Sequence, residues 1–178
     1  LYSSVIDSCL DRARHIARQT KDICPLILGM PLFSEDRCFL YNAAVLLQDG
    51  EIATRTGKSL LPNYDVFDES RYFTPFPAPE TFRIKGRRLG ITICEDIWND
   101  KSFWKTPRYA SDPVSELSRS GAEMIINISA SPFFLKKQKI REEMLASLAE
   151  KHALPVLYCN QCGGNDDLIF DGFSCALD

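Results

Sequence analysis

A chain of 178 residues is long enough to bury a core without disulfide or metal staples, and residues 1–178 are read as a single domain. A formal charge of -3, with 45% hydrophobic and 25% charged residues, makes no electrostatic case for nucleic acid or an anionic membrane surface. No apolar run approaches the roughly 20 residues that cross a bilayer, and no secretory leader pattern opens the chain.

Cysteine and histidine usage narrows the chemistry further. Seven cysteines, at 9, 24, 38, 94, 159, 162 and 175, do not space like a secreted disulfide framework, so a reducing cytoplasm is the expected location. Only His15 and His152 are present, both within helical patterns. A nucleophilic cysteine here would take its proton acceptor from a carboxylate and its neighbouring positive charge from a lysine.

In chain order, residues 1–20 are predicted to form an amphipathic helix. Val5, Cys9, Leu10, Ala13, Ile16 and Ala17 recur at helical spacing, with Arg12, Arg14, Arg18 and His15 outward. Leu26 to Gly29 is a short buried strand, and Phe39–Leu47 and Glu51–Arg55 flank Asp49-Gly50 as a hairpin. The stretch from Gly57 to Phe73 has too many turn residues for a regular element and many aromatics. It reads either as a functional loop or as a surface loop pinned by Tyr64, Phe67, Tyr72 and Phe73. After Pro75, Pro77 and Pro79, a second hairpin turns at Lys85-Gly86 and ends on Ile93-Cys94.

Asp112-Pro113 starts a helix that Gly121 ends. Met124 to Ile128 is a strand, and residues 136–152 form a helix with Ile140, Met144, Leu145 and Leu148 inward and His152 complementing the dipole. Val156 to Cys159 is a strand, Gly163-Gly164 a turn, and Leu168–Phe170 with Phe173–Ala176 a last hairpin around Asp171-Gly172. Hairpins mixed with strand–helix–strand segments imply an α/β layered domain. The first helix opens without a cap and the chain stops inside the last hairpin, so the domain is expected to be incomplete at both ends.

Cys94 is the residue around which chemistry can be assembled. A strand rich in β-branched residues stops on this thiol and is followed at once by Glu95, Asp96 and Trp98. Free cysteine is among the most buried residue types, so a structural thiol competes with a nucleophile at the strand end, where sheet-based active sites commonly lie. A thiol must ionise to attack, and an ammonium such as Lys58 would both favour the thiolate and stabilise an oxyanion. Cys159-x-x-Cys162 stands without a second pair and reads as packing rather than as zinc or redox chemistry. Asn165, Asp166, Asp167 and Asp171 are explained by turns rather than calcium, and no Gly-rich phosphate loop is present.

Four ordered segments then carry a resemblance: Lys58 to Phe73, Ile93-Cys-Glu-Asp-Ile-Trp98, Asn127-Ile-Ser-Ala-Ser-Pro132, and Asn160 to Gly172. From about residue 24 onward they resemble the carbon-nitrogen hydrolase (nitrilase) superfamily, and within it the glutaminase domains of glutamine-dependent NAD synthetases. The resemblance implies a nitrilase-like α-β-β-α sandwich with a Glu-Lys-Cys triad. Cys94 then matches the nucleophile, Lys58 the triad lysine and Glu69 a second, supporting glutamate. Tyr64, Ser131 and Lys137 match glutamine-binding positions, and Trp98 would wall the pocket. The family's general-base glutamate lies in a strand-turn that precedes the first helix seen here. Nothing in this chain matches it, Glu35 and Glu51 belonging to no motif, so the chain alone is expected to turn over poorly.

The resemblance further implies a homo-oligomer and a C-terminal synthetase domain, outside this chain, that uses ATP and magnesium. No cofactor is expected for the domain itself. The segment from Asn99 to Ser120 looks longer than in some relatives. Two alternatives stand beside glutamine hydrolysis: a stand-alone nitrilase-type amidase, and a non-catalytic interaction domain of the same fold.

Overall fold

A computed structural model describes residues 2–178. They form two compact units, one up to Ala78 and one from Pro79 onward.

The first unit is a helix on an antiparallel sheet. It contains α1 (Ser3–Gln19), β1 (Leu26–Phe33), β2 (Leu40–Gln48) and β3 (Glu51–Gly57), in the spatial order β1-β2-β3. The β2–β3 hairpin turns on Asp49 and Gly50, both at positive φ, the conformation an Asp-Gly pair readily adopts. β1 runs for eight residues, longer than the expected Leu26 to Gly29. Pro31 lies within it opposite Asn42, and a proline is tolerated because β1 is the last strand of this sheet.

Ala13 and Ala17 of α1 pack on Met30, Leu32, Ala43, Val45 and Leu47; two small side chains let the helix come close to the strands. Ile6, and not Val5, is the buried residue of the first turns, Val5 remaining 48% exposed. His15 is exposed, as expected.

The second unit has a five-stranded sheet in the order β10-β7-β6-β5-β4. Its members are β4 (Thr81–Ile84), β5 (Arg87–Ile93), β6 (Met124–Ser129), β7 (Val156–Asn160) and β10 (Cys175–Leu177), joined by α2 (Pro113–Arg119) and α3 (Lys137–His152). β5, β6 and β7 are parallel neighbours; β5 is buried over its last five residues, as a strand covered on both faces is, whereas β7 alternates buried and exposed residues. Asp112 caps α2 by accepting the Ser115 N–H at 3.1 Å, and Gly121 follows its end at positive φ. Val114, Leu117, Met144, Leu145 and Leu148 of the two helices form one core with Ile97, Ile125, Val156 and Tyr158. A Cβ on Gly90 would stand 2.8 Å from Ile125 and 3.0 Å from Leu117, so the lack of a side chain sets how closely α2 approaches β5.

The C-terminal part departs from the sequence reading. Gly163 and Gly164 are not a turn but lie in β8 (Cys162–Asn165), which pairs with β9 (Leu168–Asp171). Phe173 to Ala176 does not return along β9; the final strand instead adds to β7. Local turn residues favour a hairpin at Asp171-Gly172, but pairing with β7 extends the main sheet and wins. Cys159 and Cys162 are both exposed, so they are not packing residues. Ile140 is only half-buried, while Lys137 and Arg141 are buried on the same helix.

His152 also differs from expectation. Burial, with Lys151 beside it, pushes its pKa below the ordinary 6.5, against the opposing pull of Asp112 and Asp100. The shift favours the neutral imidazole and so weakens what His152 can contribute to the helix end.

Candidate active site

β5 delivers Cys94 at its carboxyl end, where the chain turns into a short 3-10 segment, Cys94–Ile97. Cys94 has φ of 45°, a left-handed conformation that costs a residue with a Cβ roughly 1–2 kcal/mol. Such strain at a strand end projects a side chain out of the turn, the device that exposes nucleophiles at the top of other α/β sheets. The thiol is half-buried and is not in a disulfide.

The turn is pinned by its neighbours. Asp96 bends back and accepts the Ile93 N–H at 3.0 Å, tying down the last strand amide. Glu95 is also buried, and its carboxylate accepts the Tyr109 hydroxyl at 3.1 Å. From β6, the Asn127 amide donates to the Thr92 hydroxyl at 3.0 Å and to the Cys94 carbonyl at 3.4 Å, and its own oxygen accepts the Ser129 hydroxyl at 2.6 Å.

Residues 98–112 form a wall with its own framework. Asn99 donates to the Tyr109 and Ser111 carbonyls at 2.9 and 2.6 Å and accepts the Arg108 and Tyr109 amides at 3.0 and 3.2 Å. One side chain thereby closes the loop from Asn99 to Ser111. Burial alone would raise the Asp100 carboxyl, but the Lys151 ammonium and the Phe103 and Ser102 amides outweigh it and hold it below the usual carboxylate value. Trp98 stacks on Trp104 with ring centroids 6.2 Å apart.

Lys137, in the first turn of α3, extends its ammonium over Trp98, 5.6 Å from the ring centre, and over Phe134 at 5.0 Å. It donates to the Pro132 carbonyl at 2.8 Å. Burial pushes this ammonium below its ordinary 10.5; Cys94 draws it back up, Arg141 lowers it further, and Asp171 and Glu95 raise it. Ser131 is 2% exposed and lies on the bend between β6 and α3, where its amide donates to the Asn160 side-chain oxygen at 2.8 Å.

Lys58 and Glu69 belong to the first unit. The Lys58 ammonium donates to Glu69 at 2.5 Å, with the lysine side chain 1% and the glutamate 18% exposed. The Asn42 amide reaches the other Glu69 oxygen at 3.5 Å. The backbone of Lys58 is held on both sides, its N–H by the Asn42 carbonyl and its carbonyl by the Phe76 N–H. Tyr64 is half-buried in the same loop, edge-on to Phe67 at 5.8 Å. Glu35 and Glu51 are exposed, and Glu35 pairs with Arg55.

Within the second unit, then, Cys94, Trp98 and Lys137 share one neighbourhood, and Ser131 is on the bend that holds Lys137. Within the first, Lys58 and Glu69 are joined. Sequence reasoning missed Asn127, Asn160, Arg141 and Asp171. The signal for two of these was on α3, where Lys137 and Arg141 occupy the face continued by Met144, Leu145 and Leu148. Cations on an inward face require buried partners, and Asp171 is one: Arg141 meets it at 3.2 Å. Asp171 is thus half of an ion pair rather than a turn residue. Among the described residues, no cluster of three or more His, Cys, Asp or Glu side chains could hold a metal ion, and no helix is long and apolar enough to cross a membrane.

The strained cysteine at the end of a parallel strand lies beside aromatics and a buried lysine, in a domain of the carbon-nitrogen hydrolase class. The model of that family, carbon-nitrogen hydrolase, matches residues 10–178, and the chain belongs to it. Its curated relatives include the glutamine-dependent NAD(+) synthetases of Synechocystis sp., 46% identical over 138 residues and 78% of this chain, and of Aquifex aeolicus, 37% identical over 150 residues and 84% of the chain. The chain spans 25% and 24% of the length of those two proteins. Among solved structures, a glutamine-dependent NAD+ synthetase from Acinetobacter baumannii in complex with ADP superposes with a TM-score of 0.83 at 33% identity, covering 96% of this chain and 30% of its own. An amidase from Nesterenkonia sp. shares the fold at a TM-score of 0.76 and 22% identity, with 97% of this chain and 59% of the other covered. The mixed α/β architecture is therefore the nitrilase-type fold, in a domain similar to the corresponding part of NAD synthetases.

Proposed function

We propose that this domain hydrolyses the side-chain amide of glutamine with Cys94 as nucleophile. The Cys94 sulfur attacks the amide carbon, and the carbonyl oxygen takes up the negative charge. Lys58 is assigned the stabilisation of that oxyanion, helped by the backbone N–H that follows Cys94, and Glu69 orients Lys58 through their ion pair. The carbon–nitrogen bond breaks as nitrogen takes up the proton given up by the Cys94 thiol, ammonia leaves, and water hydrolyses the glutamyl thioester to glutamate and the free thiol. Tyr64, Ser131 and Lys137 are assigned to glutamine, with Trp98 as a wall of the pocket. No residue of this chain is assigned the general-base role, a role that typically contributes roughly 10²–10⁴-fold.

The observation that carries this reading is the left-handed backbone at Cys94, held by Asp96 and Asn127 next to a buried ammonium. The ammonia would serve ATP- and magnesium-dependent amidation of deamido-NAD by a synthetase domain, in keeping with what the similar proteins are named. Neither ATP nor magnesium is assigned to residues of this chain.

The test is labelling with a chloroketone analogue of glutamine. Cys24, Cys38, Cys159 and Cys162 are exposed and act as internal competitors. Saturable modification of Cys94, protected by glutamine, is the expected result; preferential modification of another cysteine would sink the assignment.

A further inference from the structure

The two substrate contacts proposed in the second unit, Ser131 and Lys137, depend on an irregular bend between β6 and α3. The Pro132 carbonyl anchors the Lys137 ammonium, and what anchors the bend itself is Asn160 at the end of β7. Its side-chain oxygen accepts the Ser131 N–H at 2.8 Å, and its NH₂ group reaches the Ser131 carbonyl at 3.4 Å. The same NH₂ group donates to the Gly172 carbonyl at 3.0 Å and to Asp171 at 3.1 Å.

A side-chain amide, with a donor and an acceptor on one rigid plane, serves both directions. The Ser131 N–H, which can only donate, and the Gly172 carbonyl and the Asp171 carboxylate, which only accept, together fix which way the amide faces. A carboxylate accepts and cannot donate, so the NH₂ group must turn to it and the oxygen must turn to Ser131. Asp171 is in turn held by Arg141, which is 1% exposed, bonded to the same carboxylate oxygen, and stacked 5.3 Å above the Tyr158 ring. Buried polar networks of this kind are costly unless their directions agree. Here the contacts made on Asn160 agree on one geometry for the bend, although Arg141 Nε and Asp171 Oδ2 are buried without a hydrogen-bond partner among the described residues.

We infer that Asn160, oriented by the Asp171–Arg141 pair, is a positioning residue that sets how tightly the active site holds an amino-acid amide at Ser131 and Lys137. This rests on the glutamine reading above. Asn160 touches no reacting atom; it acts through Ser131 and, by way of Pro132, through Lys137.

The experiment compares two site-resolved reactions of Cys94 in the purified protein: saturable inactivation by the glutamine chloroketone, and alkylation by iodoacetamide, which lacks the amino-acid portion. In Asn160→Leu, the half-saturating chloroketone concentration should rise roughly tenfold or more, the loss of about one buried hydrogen-bond unit of binding, while the iodoacetamide rate stays within about threefold. Asn160→Asp places two carboxylates face to face and should be worse. The swap Asn160→Asp with Asp171→Asn restores a donor facing an acceptor between positions 160 and 171 at unchanged net charge, while a carboxylate oxygen still faces the Gly172 carbonyl, and should recover part of the binding. If Asn160→Leu fails to fold, Asp171→Asn and the swap carry the comparison. An unchanged half-saturating concentration, a parallel fall of both rates, or a swap no better than Asn160→Asp would each overturn the inference alone. Wild-type protein that shows no saturable labelling overturns the glutamine reading and this inference with it.

Discussion

Lys58 and Glu69 form an ion pair in which the burial is unequal, the lysine side chain being 1% and the carboxylate 18% exposed. The two ends of the pair therefore respond differently to truncation. Removing one partner of a buried pair costs about 3–5 kcal/mol when the other is left without water, and less when water can reach it. Glu69→Gln, which strands the buried ammonium, should destabilise by about 2–4 kcal/mol, and Lys58→Met by less, because water still reaches Glu69. Urea unfolding of both variants measures the order; the reverse order would contradict the burial.

The strain at Cys94 makes a separable prediction. Both Cys94→Ala and Cys94→Gly abolish labelling, but glycine adopts positive φ without steric cost. Cys94→Gly should be more stable than Cys94→Ala by about 1 kcal/mol, a reversal of the usual order in a regular element. Chemical denaturation of the two variants decides it. Equal stabilities would mean that the turn carries no strain.

Asn99 closes its loop with four hydrogen bonds from one buried side chain. Asn99→Ala leaves two carbonyls and two amides to find other partners. It should cost about 2–3 kcal/mol and expose the segment from Lys101 to Ala110 to proteolysis. Limited digestion with trypsin, which cuts after Lys101, Lys105 and Arg108 unless proline follows, reads this directly. Cleavage unchanged from wild type would show that Asn99 does not govern the loop.

The His152 imidazole predicts a pH effect. Its folded pKa lies below the unfolded 6.5 because burial, then Lys151, disfavour the charged form. The unfolded chain consequently binds the extra proton first as pH falls. The stability associated with the neutral imidazole is complete above pH 6.5 and declines from there until the folded-state pKa is passed. Thermal melts between about pH 8 and 5 should show this decline in wild type and a shallower one in His152→Gln. Asp100, held low by Lys151, adds a loss only below the ordinary carboxylate range. A wild-type profile flat across pH 6.5 would oppose the assignment.

Much of the architecture is legible in local patterns. Asp49-Gly50 and Lys85-Gly86 turn at positive φ, which the two glycines and Asp49 favour, and Asp112 and Gly121 bound α2 as capping chemistry requires. Local reading fails where strand pairing outweighs the turn preference of single residues. Gly163-Gly164 looks like a turn to its neighbours in sequence, yet a partner strand at 168–171 holds it extended. For the same reason β10 pairs with β7 and not with the strand just before it.

By itself, the amino-acid sequence determined the family, the strand that ends on Cys94, and the residue types around which amide chemistry could be built, since these follow from local order and ordered motifs. It also limited the charges on offer, having only two histidines. Only the tertiary structure decided which of the remaining polar groups act together. Arg141, Asp171, Asn160 and Ser131 come from α3, β9, β7 and the bend after β6. Burial turns their polarity into a single directional network, and neither spacing nor composition encodes which buried donor finds which acceptor.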